Sequence, residues 1–251
     1  MKYKKILLTG GTGNLGSAIL KSRIFQNILS PTHEELNISD KEEVSEFFKK
    51  NEIDAVIHCA AFTNLKEAEK NPLVAFETNV IGTSNLVGEI LKIEKSQNKK
   101  IKFIHISTDG VYNRTEGNYS ENSPTVPFDK YGWTKLGAES SVNSLPNFCI
   151  IRTSFFDPKK LNFQDSPIDA YSSRIPLKEL VNAIKLLLES DFIGTLNVGQ
   201  SRKSHYDVYK EFIPSLKPCK LEGIQNEVLH KLPKDSSMDV SLWEKIKHNN
   251  A

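Results

Sequence analysis

The sequence predicts a doubly wound α/β fold, in which helices cover both faces of a parallel sheet. Segments with strand and helix character alternate from residue 5 to residue 199 of the 251-residue chain. The strand segments are continuous apolar runs rather than alternating ones, as "KKILLTG" and "DAVIHCAA" illustrate. Such runs are typical of strands that are buried on both faces of a parallel sheet.

The first half of the chain supplies strands that are each followed by a helix. "KKILLTG" ends in glycine, and "LGSAILKSRIF" follows with apolar residues at helical spacing. A weaker strand, "ILSPT", precedes the helix "SDKEEVSEFFKK", for which Ser39 is the expected N-cap. "DAVIHCAA" precedes the long helix "PLVAFETNVIGTSNLVGEILKIEKS", with Pro72 in its first turn.

The second half continues the alternation. "KFIHIST" pairs with the helix "YGWTKLGAESSVNSL", "FCIIRTS" pairs with "PLKELVNAIKLLLES", and "GTLNVG" is a last short strand. Residues 116–129 form a predicted long loop and residues 156–174 an irregular stretch. After Gly199, "HYDVYKEFI" and "VSLWEKIK" predict short helices.

Composition excludes several classes of protein. Hydrophobic residues make up 38% and charged residues 25%, which is typical of a globular chain. Lys plus Arg total 33 and Asp plus Glu total 31, so the charge balance indicates neither nucleic acid nor an acidic membrane surface as partner. Cys59, Cys149 and Cys219 are scattered and suggest no disulfide framework or metal site. The apolar run at the start is too short for a signal segment, so we expect a cytoplasmic protein.

Gly10, Gly13 and Gly16 lie in "TGGTGNLGS", which follows a predicted strand and opens a predicted helix. A tight turn would also explain the glycines, but this setting is the one that a dinucleotide pyrophosphate requires. Glycines let the backbone approach phosphates, and the helix N-terminus offers unpaired N–H groups. We therefore predict a dinucleotide-binding (Rossmann) domain over residues 1–153, with 175–199 returning to it. Residues 154–174 and 200–251 would form a small C-terminal substrate lobe.

The choice between NAD and NADP depends on the end of the second strand, within "ILSPTHEEL". No acidic residue stands there to bind the ribose 2′-hydroxyl of NAD, and no arginine stands there for a 2′-phosphate. Ser30, Thr32 and His33 are nearest, and Arg23 could contribute only if the chain folds it back. Hydroxyls and histidine can bind a phosphate, which gives a slight preference for NADP.

Two Tyr-x-x-x-Lys pairs occur, Tyr131 with Lys135 and Tyr206 with Lys210, and either pair would meet on one face of a helix. The first pair follows the polar end of the fourth strand, where Thr108 lies, and ligands of open α/β sheets bind beyond such ends. Ketone reduction by a nicotinamide needs a proton donor, and a lysine ammonium is expected to lower a tyrosine pKa. We interpret the first pair as catalytic and the second as structural.

These segments together resemble an extended short-chain dehydrogenase/reductase, in particular the dTDP-4-dehydrorhamnose reductase branch of sugar-nucleotide reductases. The resemblance is carried by "TGGTGNLGS", "ELNISD", "HCAAFTNLKEAE", "NVIGTSNL", "STDGVY", "SPTVPFDKYGWTKLGAE" and "IIRTSFF". It implies a nucleotide-sugar substrate, a nicotinamide cofactor, no metal and a possible homodimer.

The resemblance also implies roles for individual residues. Thr108, Tyr131 and Lys135 would be the catalytic hydroxyl, acid and lysine. The pyrophosphate would lie on Gly10, Thr12, Gly13, Asn14, Leu15 and Gly16, the adenine by Asn37 and Ile38, and the middle of the cofactor over Ala60 and Ala61. Substrate contacts would come from Asp109, Phe155 and Arg152. Asn79 would brace the site or be an ordinary helix residue, and Arg152 could equally belong to a structural ion pair.

Three positions depart from the branch. It usually has Tyr at Gly110, Trp at Phe155 and Asp at Lys66, and its chains are longer, which predicts a trimmed substrate lobe. Reduction of a nucleotide-linked 4-keto sugar is the leading hypothesis. A sugar-nucleotide epimerase or dehydratase is an alternative, although dehydratases carry Glu where Gly110 stands. The other alternative is a catalytically idle NAD(P)-binding regulatory subunit.

Overall fold

The structure is a computed structural model, and it describes residues 2–223 and 232–249. The strands are β1 (Ile6–Thr9), β2 (Ile28–Leu29), β3 (Ala55–His58), β4 (Lys102–Ile106), β5 (Phe148–Arg152), β6 (Phe155–Phe156), β7 (Asp165–Pro167), β8 (Tyr171–Ser172), β9 (Ile175–Pro176), β10 (Gly194–Asn197), β11 (Lys203–Ser204) and β12 (Lys217–Cys219). The helices are α1 (Asn14–Ser22), α2 (Lys41–Lys50), α3 (Leu65–Lys70), α4 (Pro72–Phe76), α5 (Gly82–Gln97), α6 (Lys130–Val142), α7 (Leu177–Glu189), α8 (His205–Lys210) and α9 (Ser241–Asn249).

The central sheet has the strand order β10-β5-β4-β3-β1-β2. Every neighbouring pair in it is parallel. The chain moves outward in one direction from β1 to β2, then crosses back to β3 and continues on the other side. The sheet therefore has its topological switch point between β1 and β3, where ligands of such folds bind. The predicted fold class is confirmed.

Both faces of the sheet are buried, as the continuous apolar runs predicted. On β1, Ile6 and Leu8 pack in one cluster with α1, α7 and α9, whereas Leu7 packs in a second cluster with α2, α5 and α6. All three side chains are fully buried. Burying one such aliphatic side chain stabilises a fold by roughly 1.5–3 kcal/mol, so the sheet is a rigid base for residues at its edges.

The long predicted helix is interrupted. A π-helical turn over Glu77–Ile81 separates α4 from α5, and it carries the side chain of Asn79 inward to 1% exposure. Such turns concentrate at functional sites. The expected cap of α2 is also corrected: Asp40, not Ser39, accepts hydrogen bonds from the backbone of Glu42 and Glu43.

Outside the central sheet, β6, β9 and the remaining short strands form two-stranded pairs. A small apolar cluster of Phe156, Val208, Tyr209 and Leu216 holds α8 in this region. The C-terminal segment, which the sequence assigned to the lobe, also contacts the main core. Met238, Val240 and Trp243 pack into the core of the central sheet.

Candidate active site

A cavity of about 390 Å³ lies at the carboxyl edge of the central sheet. It brings the glycine turn together with the candidate catalytic residues. The predicted site residues in its lining are Gly10, Gly13, Asn14, Leu15, Gly16, Ala61, Thr108, Tyr131, Lys135 and Phe155. The structure thus joins residues that are more than a hundred positions apart in the sequence.

Two glycines of the turn leave no room for a side chain, and the third is less crowded. Gly10 has φ of +73°, and a Cβ there would lie 2.5 Å from the backbone nitrogen of Ala60. A Cβ on Gly16 would lie 2.2 Å from the carbonyl oxygen of Gly10. At Gly13 the φ is −72°, and a Cβ would approach only that same oxygen, at 3.3 Å. That contact is tight, but no other atom lies within 4 Å of the added Cβ, so the space above Gly13 is available to a ligand.

Helix α1 begins directly after this space, and no side chain caps it. Its first N–H groups are therefore unpaired and point, with the positive end of the helix dipole, toward the cavity. A negatively charged phosphate group satisfies both features. The residues present fit the pyrophosphate of a dinucleotide.

A second, smaller cavity of about 100 Å³ lies on the other side of the glycine turn. The predicted residues in its lining are Gly10, Thr12, Asn37, Ile38 and Ala60. Thr32 and His33 also line it, and its lining contains neither an arginine nor an acidic side chain. Gly10 is shared by both cavities, so one extended ligand can occupy both across the turn.

Helix α6 carries Tyr131 and Lys135 and is fixed at both ends. Asp129 caps its start by accepting a 2.7 Å hydrogen bond from the backbone of Gly132. Near its end, Glu139 forms a buried ion pair with Arg152 of β5, at 2.7 Å, and accepts a 2.5 Å hydrogen bond from the Ser107 hydroxyl. These contacts attach the helix to the ends of two sheet strands.

Arg152 is occupied by this ion pair and does not line the cavity. Its guanidinium makes further hydrogen bonds to Glu139 and donates to the Tyr112 hydroxyl at 2.9 Å. Of the two interpretations of Arg152, the structure shows the structural ion pair. Asp109 also lies outside the cavity lining, and it accepts a hydrogen bond from Thr108 at 3.2 Å.

The phenol of Tyr131 is protonated at neutral pH. Burial raises its pKa above the ordinary value, the charges of Asp109 and Asp129 raise it further, and Arg114 and the neighbouring Thr108 hydroxyl oppose the shift. The expected lowering by Lys135 is therefore corrected, because burial dominates. A protonated phenol is the form that can donate a proton.

The ammonium of Lys135 is almost completely buried, with 2% of the residue exposed. Burial lowers its pKa to about 8, and the nearby carboxylate of Glu139 and Cys59 partly offset that shift. Lys135 is still mainly charged at neutral pH. Its Nζ lies 3.3 Å from Nε2 of His105, a residue that the sequence did not single out.

Asn79 connects the π-helical turn before α5 to the start of α6. Its side-chain oxygen accepts from the backbone of Phe62 at 2.7 Å, and its amide donates to the Thr134 hydroxyl at 2.8 Å. Thr134 in turn donates to the carbonyl oxygen of Tyr131, also at 2.8 Å. Of the two interpretations of Asn79, these contacts favour the brace.

Several residues that line the cavity were not predicted from the sequence, among them Thr153 and Ser154, which follow β5. The hydroxyl of Thr153 is buried and has no hydrogen-bond partner among the described residues. A buried hydroxyl that lines a cavity without a partner is available to a ligand. The signal for it was its place at the polar end of the predicted strand "FCIIRTS".

No helix in residues 2–223 or 232–249 is long and apolar enough to cross a membrane.

Comparisons with known proteins find similar sequences and similar structures. A probable low-salt glycan biosynthesis reductase, Agl14, from Haloferax volcanii is 34% identical over 162 residues, which cover 59% of this chain and 52% of that protein. The chain thus spans about half the length of this curated relative. A dTDP-4-dehydrorhamnose reductase structure from Clostridium acetobutylicum has a TM-score of 0.81 and 25% identity, with 96% of this chain and 92% of that chain covered.

The same enzyme from Bacillus anthracis, in complex with NADP, shares the fold, with a TM-score of 0.80, 21% identity, and coverage of 98% of this chain and 92% of that chain. The family model described as RmlD substrate binding domain matches residues 4–178, the part that contains the glycine turn and the Tyr131–Lys135 pair. The chain belongs to the RmlD substrate binding domain family.

Proposed function

We propose that the protein is an NAD(P)-dependent reductase of a nucleotide-linked 4-keto sugar, similar in reaction to the dTDP-4-dehydrorhamnose reductases. One observation carries the proposal. The glycine turn, with its open Gly13 and uncapped helix, lines the same cavity as Tyr131 and Lys135. A dinucleotide bound on that turn would therefore have its reactive end beside a protonated phenol.

A bound nicotinamide would supply the hydride that the carbonyl carbon requires. The Tyr131 phenol donates its proton to the carbonyl oxygen, so that the ketone becomes a secondary alcohol and the phenolate remains. The Thr108 hydroxyl orients the carbonyl; it already accepts a 3.0 Å hydrogen bond from the backbone of Gly110, which holds it in place. Lys135 would hold the cofactor ribose and would stabilise the phenolate by its charge.

Phe155 and Thr153 also line this cavity, and we assign them to the substrate and the nicotinamide end. For the cofactor itself, the slight preference for NADP remains our proposal. It is supported by the absence of an acidic side chain from the lining of the second cavity and by the NADP in the Bacillus anthracis relative.

The experiment is oxidation of NADH and NADPH, followed by absorbance, with a panel of nucleotide-linked 4-keto sugars. We expect turnover with at least one sugar and faster turnover with NADPH. Cofactor binding without turnover of any sugar, together with a stable protein partner, would contradict the proposal and favour a regulatory subunit.

A further inference from the structure

His105 and Lys135 form a buried contact beneath the candidate active site. The lysine Nζ lies 3.3 Å from Nε2 of the imidazole, and the two residues are 2% and 0% exposed. His105 stands on β4, three residues before Thr108, and no assigned role explains it. Its other ring nitrogen, Nδ1, has no hydrogen-bond partner in the part of the chain that the structure describes.

The neighbouring His58 differs from His105 in its hydrogen bonds, because both of its ring nitrogens have a partner. The rings of His58 and His105 are 5.3 Å apart. Thr83 donates its hydroxyl proton to the carbonyl oxygen of Asn79, so it must accept from Nε2–H of His58, at 2.9 Å. Nδ1 of His58 then accepts from the Thr9 hydroxyl, at 2.6 Å. Both nitrogens of His58 are satisfied, and its proton is fixed on Nε2.

His105 must carry its proton on the opposite nitrogen. An ammonium has only donors, so Nε2 of His105 has to be the acceptor of the lysine N–H. The imidazole is neutral, because burial and then the charge of Lys135 hold the pKa of His105 well below its ordinary value. The proton of the neutral ring therefore lies on Nδ1, the nitrogen without a partner.

We propose that His105 is a positioning residue for Lys135, whose neutral imidazole accepts a hydrogen bond from the ammonium and holds it charged beneath the cofactor site. Its consequence for turnover rests on the proposed function, whereas the contact itself does not. Because Nε2 must be unprotonated to accept from the lysine, the ring proton lies on Nδ1, which is buried without a hydrogen-bond partner among the described residues.

Other groups also affect the pKa of Lys135, and a test of His105 has to be compared with their effects. Glu139 on the same helix faces it and favours the charged form, but this carboxylate is already shared with Arg152 and Ser107. Cys59 at the end of β3 also favours the charge, while His58 is neutral, because burial lowers its pKa to about 3. Tyr131 lies one turn earlier on α6. His105 contacts the ammonium directly, at 3.3 Å.

The first experiment reads the protons directly, by nitrogen NMR of the imidazole rings in the full chain without any ligand. We expect His105 protonated on Nδ1 and His58 protonated on Nε2, at pH values from 6 to 8. A proton on Nε2 of His105 would overturn the proposal. Since no cofactor is needed, this outcome is separate from any failure of the proposed function, which would show as absent turnover of every nucleotide-linked 4-keto sugar tested.

The second experiment compares three replacements of His105. His105→Gln keeps an acceptor at about the distance of Nε2, whereas the amide of His105→Asn is too short and His105→Leu has none. We follow the pH at which the Lys135 amine loses its proton by NMR and, in parallel, the pH profile of kcat/KM. Asn and Leu should each shift both transitions by about one unit toward acid, and Gln should restore them.

An unshifted transition in the Asn and Leu variants would contradict the role, whether or not their rates had fallen. A purely structural role would lower the rate equally at all pH values and would not be rescued by Gln. If the Leu variant does not fold, the Asn and Gln pair, which differ by one methylene, still decides the question.

Discussion

The two Tyr-x-x-x-Lys pairs have the same spacing and different surroundings. On α8, Lys210 is exposed, and its Nζ lies 4.9 Å from the centre of the Tyr206 ring in a cation–π contact. On α6, Lys135 is buried and points to His105, and Tyr131 lines the central cavity. A spacing of four residues therefore does not by itself decide which group the lysine contacts. Position relative to the carboxyl edge of the sheet separates a candidate catalytic pair from a surface one.

The two helices also differ in how they are fixed. Helix α8 is a short helix capped by Ser204 and packed on a small apolar cluster. Helix α6 is attached to the ends of β4 and β5 through Glu139. It is attached to the π-helical turn before α5 through the hydrogen bond between Thr134 and Asn79. Catalytic groups need an orientation held to a fraction of an ångström, which buried polar contacts supply better than a surface helix does.

The largest effect is expected from Tyr131→Phe. Loss of the proton donor should lower kcat by roughly 10²–10⁴-fold, while NADPH affinity changes only a few-fold, because the ring remains in place. Turnover is measured by NADPH oxidation and affinity by fluorescence titration. An equal loss of both would argue against its role as the acid.

Removing the buried ion pair between Arg152 and Glu139 tests whether it anchors α6 to the sheet. Arg152→Met leaves a buried carboxylate unpaired and should lower the free energy of unfolding by about 3–5 kcal/mol, measured in urea. Lys185→Met breaks the exposed Lys185–Glu189 pair, 2.6 Å long, and should cost less than about 0.5 kcal/mol. Similar costs for both variants would mean that the buried pair does not anchor the helix.

Gly13→Val places a side chain in the space assigned to the pyrophosphate. We expect NADPH affinity to fall by about 10–100-fold, as overpacking of 1–3 kcal/mol implies, with the fold intact by circular dichroism. Gly88→Ala on α5 is the matched control, since a Cβ there meets no atom within 4 Å. Unchanged NADPH affinity in the Gly13 variant would refute the assignment of the glycine turn.

The pH profile reports on Lys135. Its pKa lies near 8 because burial disfavours the ammonium, so the charged form dominates below that pH and is lost above it. Since the charged form holds the ribose and stabilises the phenolate, kcat/KM should fall about tenfold per pH unit on the alkaline side. A flat profile up to pH 10 would show that the charge of Lys135 is not required.

Tyr206→Phe is expected to have the smallest effect. The ring and its contact with Lys210 survive the change, so kcat should stay within a few-fold of the unaltered protein. A collapse of the NADPH oxidation rate would mean that the pair on α8, not the one on α6, is catalytic.

The sheet strands and most of the lining of the site could be predicted from sequence, because both follow local patterns. Apolar runs place β1, β3, β4 and β5, and polar residues directly after them mark the edge where ligands bind. Asp40 instead of Ser39 as the cap shows the usual uncertainty of one residue at a helix end.

The remaining features depend on contacts between distant segments. No spacing rule connects Glu139 with Arg152, and no helix pattern places a π-helical turn at Asn79. His105 is a polar residue inside the apolar run "KFIHIST", but no pattern in the sequence connects it with Lys135, and their contact follows only from the packing of α6 on β4.

A crystal structure of the complex with NADPH tests the central claim most directly. It should place the pyrophosphate on Gly13 and the start of α1, and the nicotinamide ring beside the Tyr131 hydroxyl, with Lys135 on the adjoining ribose. A nicotinamide ring that lies away from Tyr131, or a dinucleotide bound outside the two cavities that share Gly10, would contradict it.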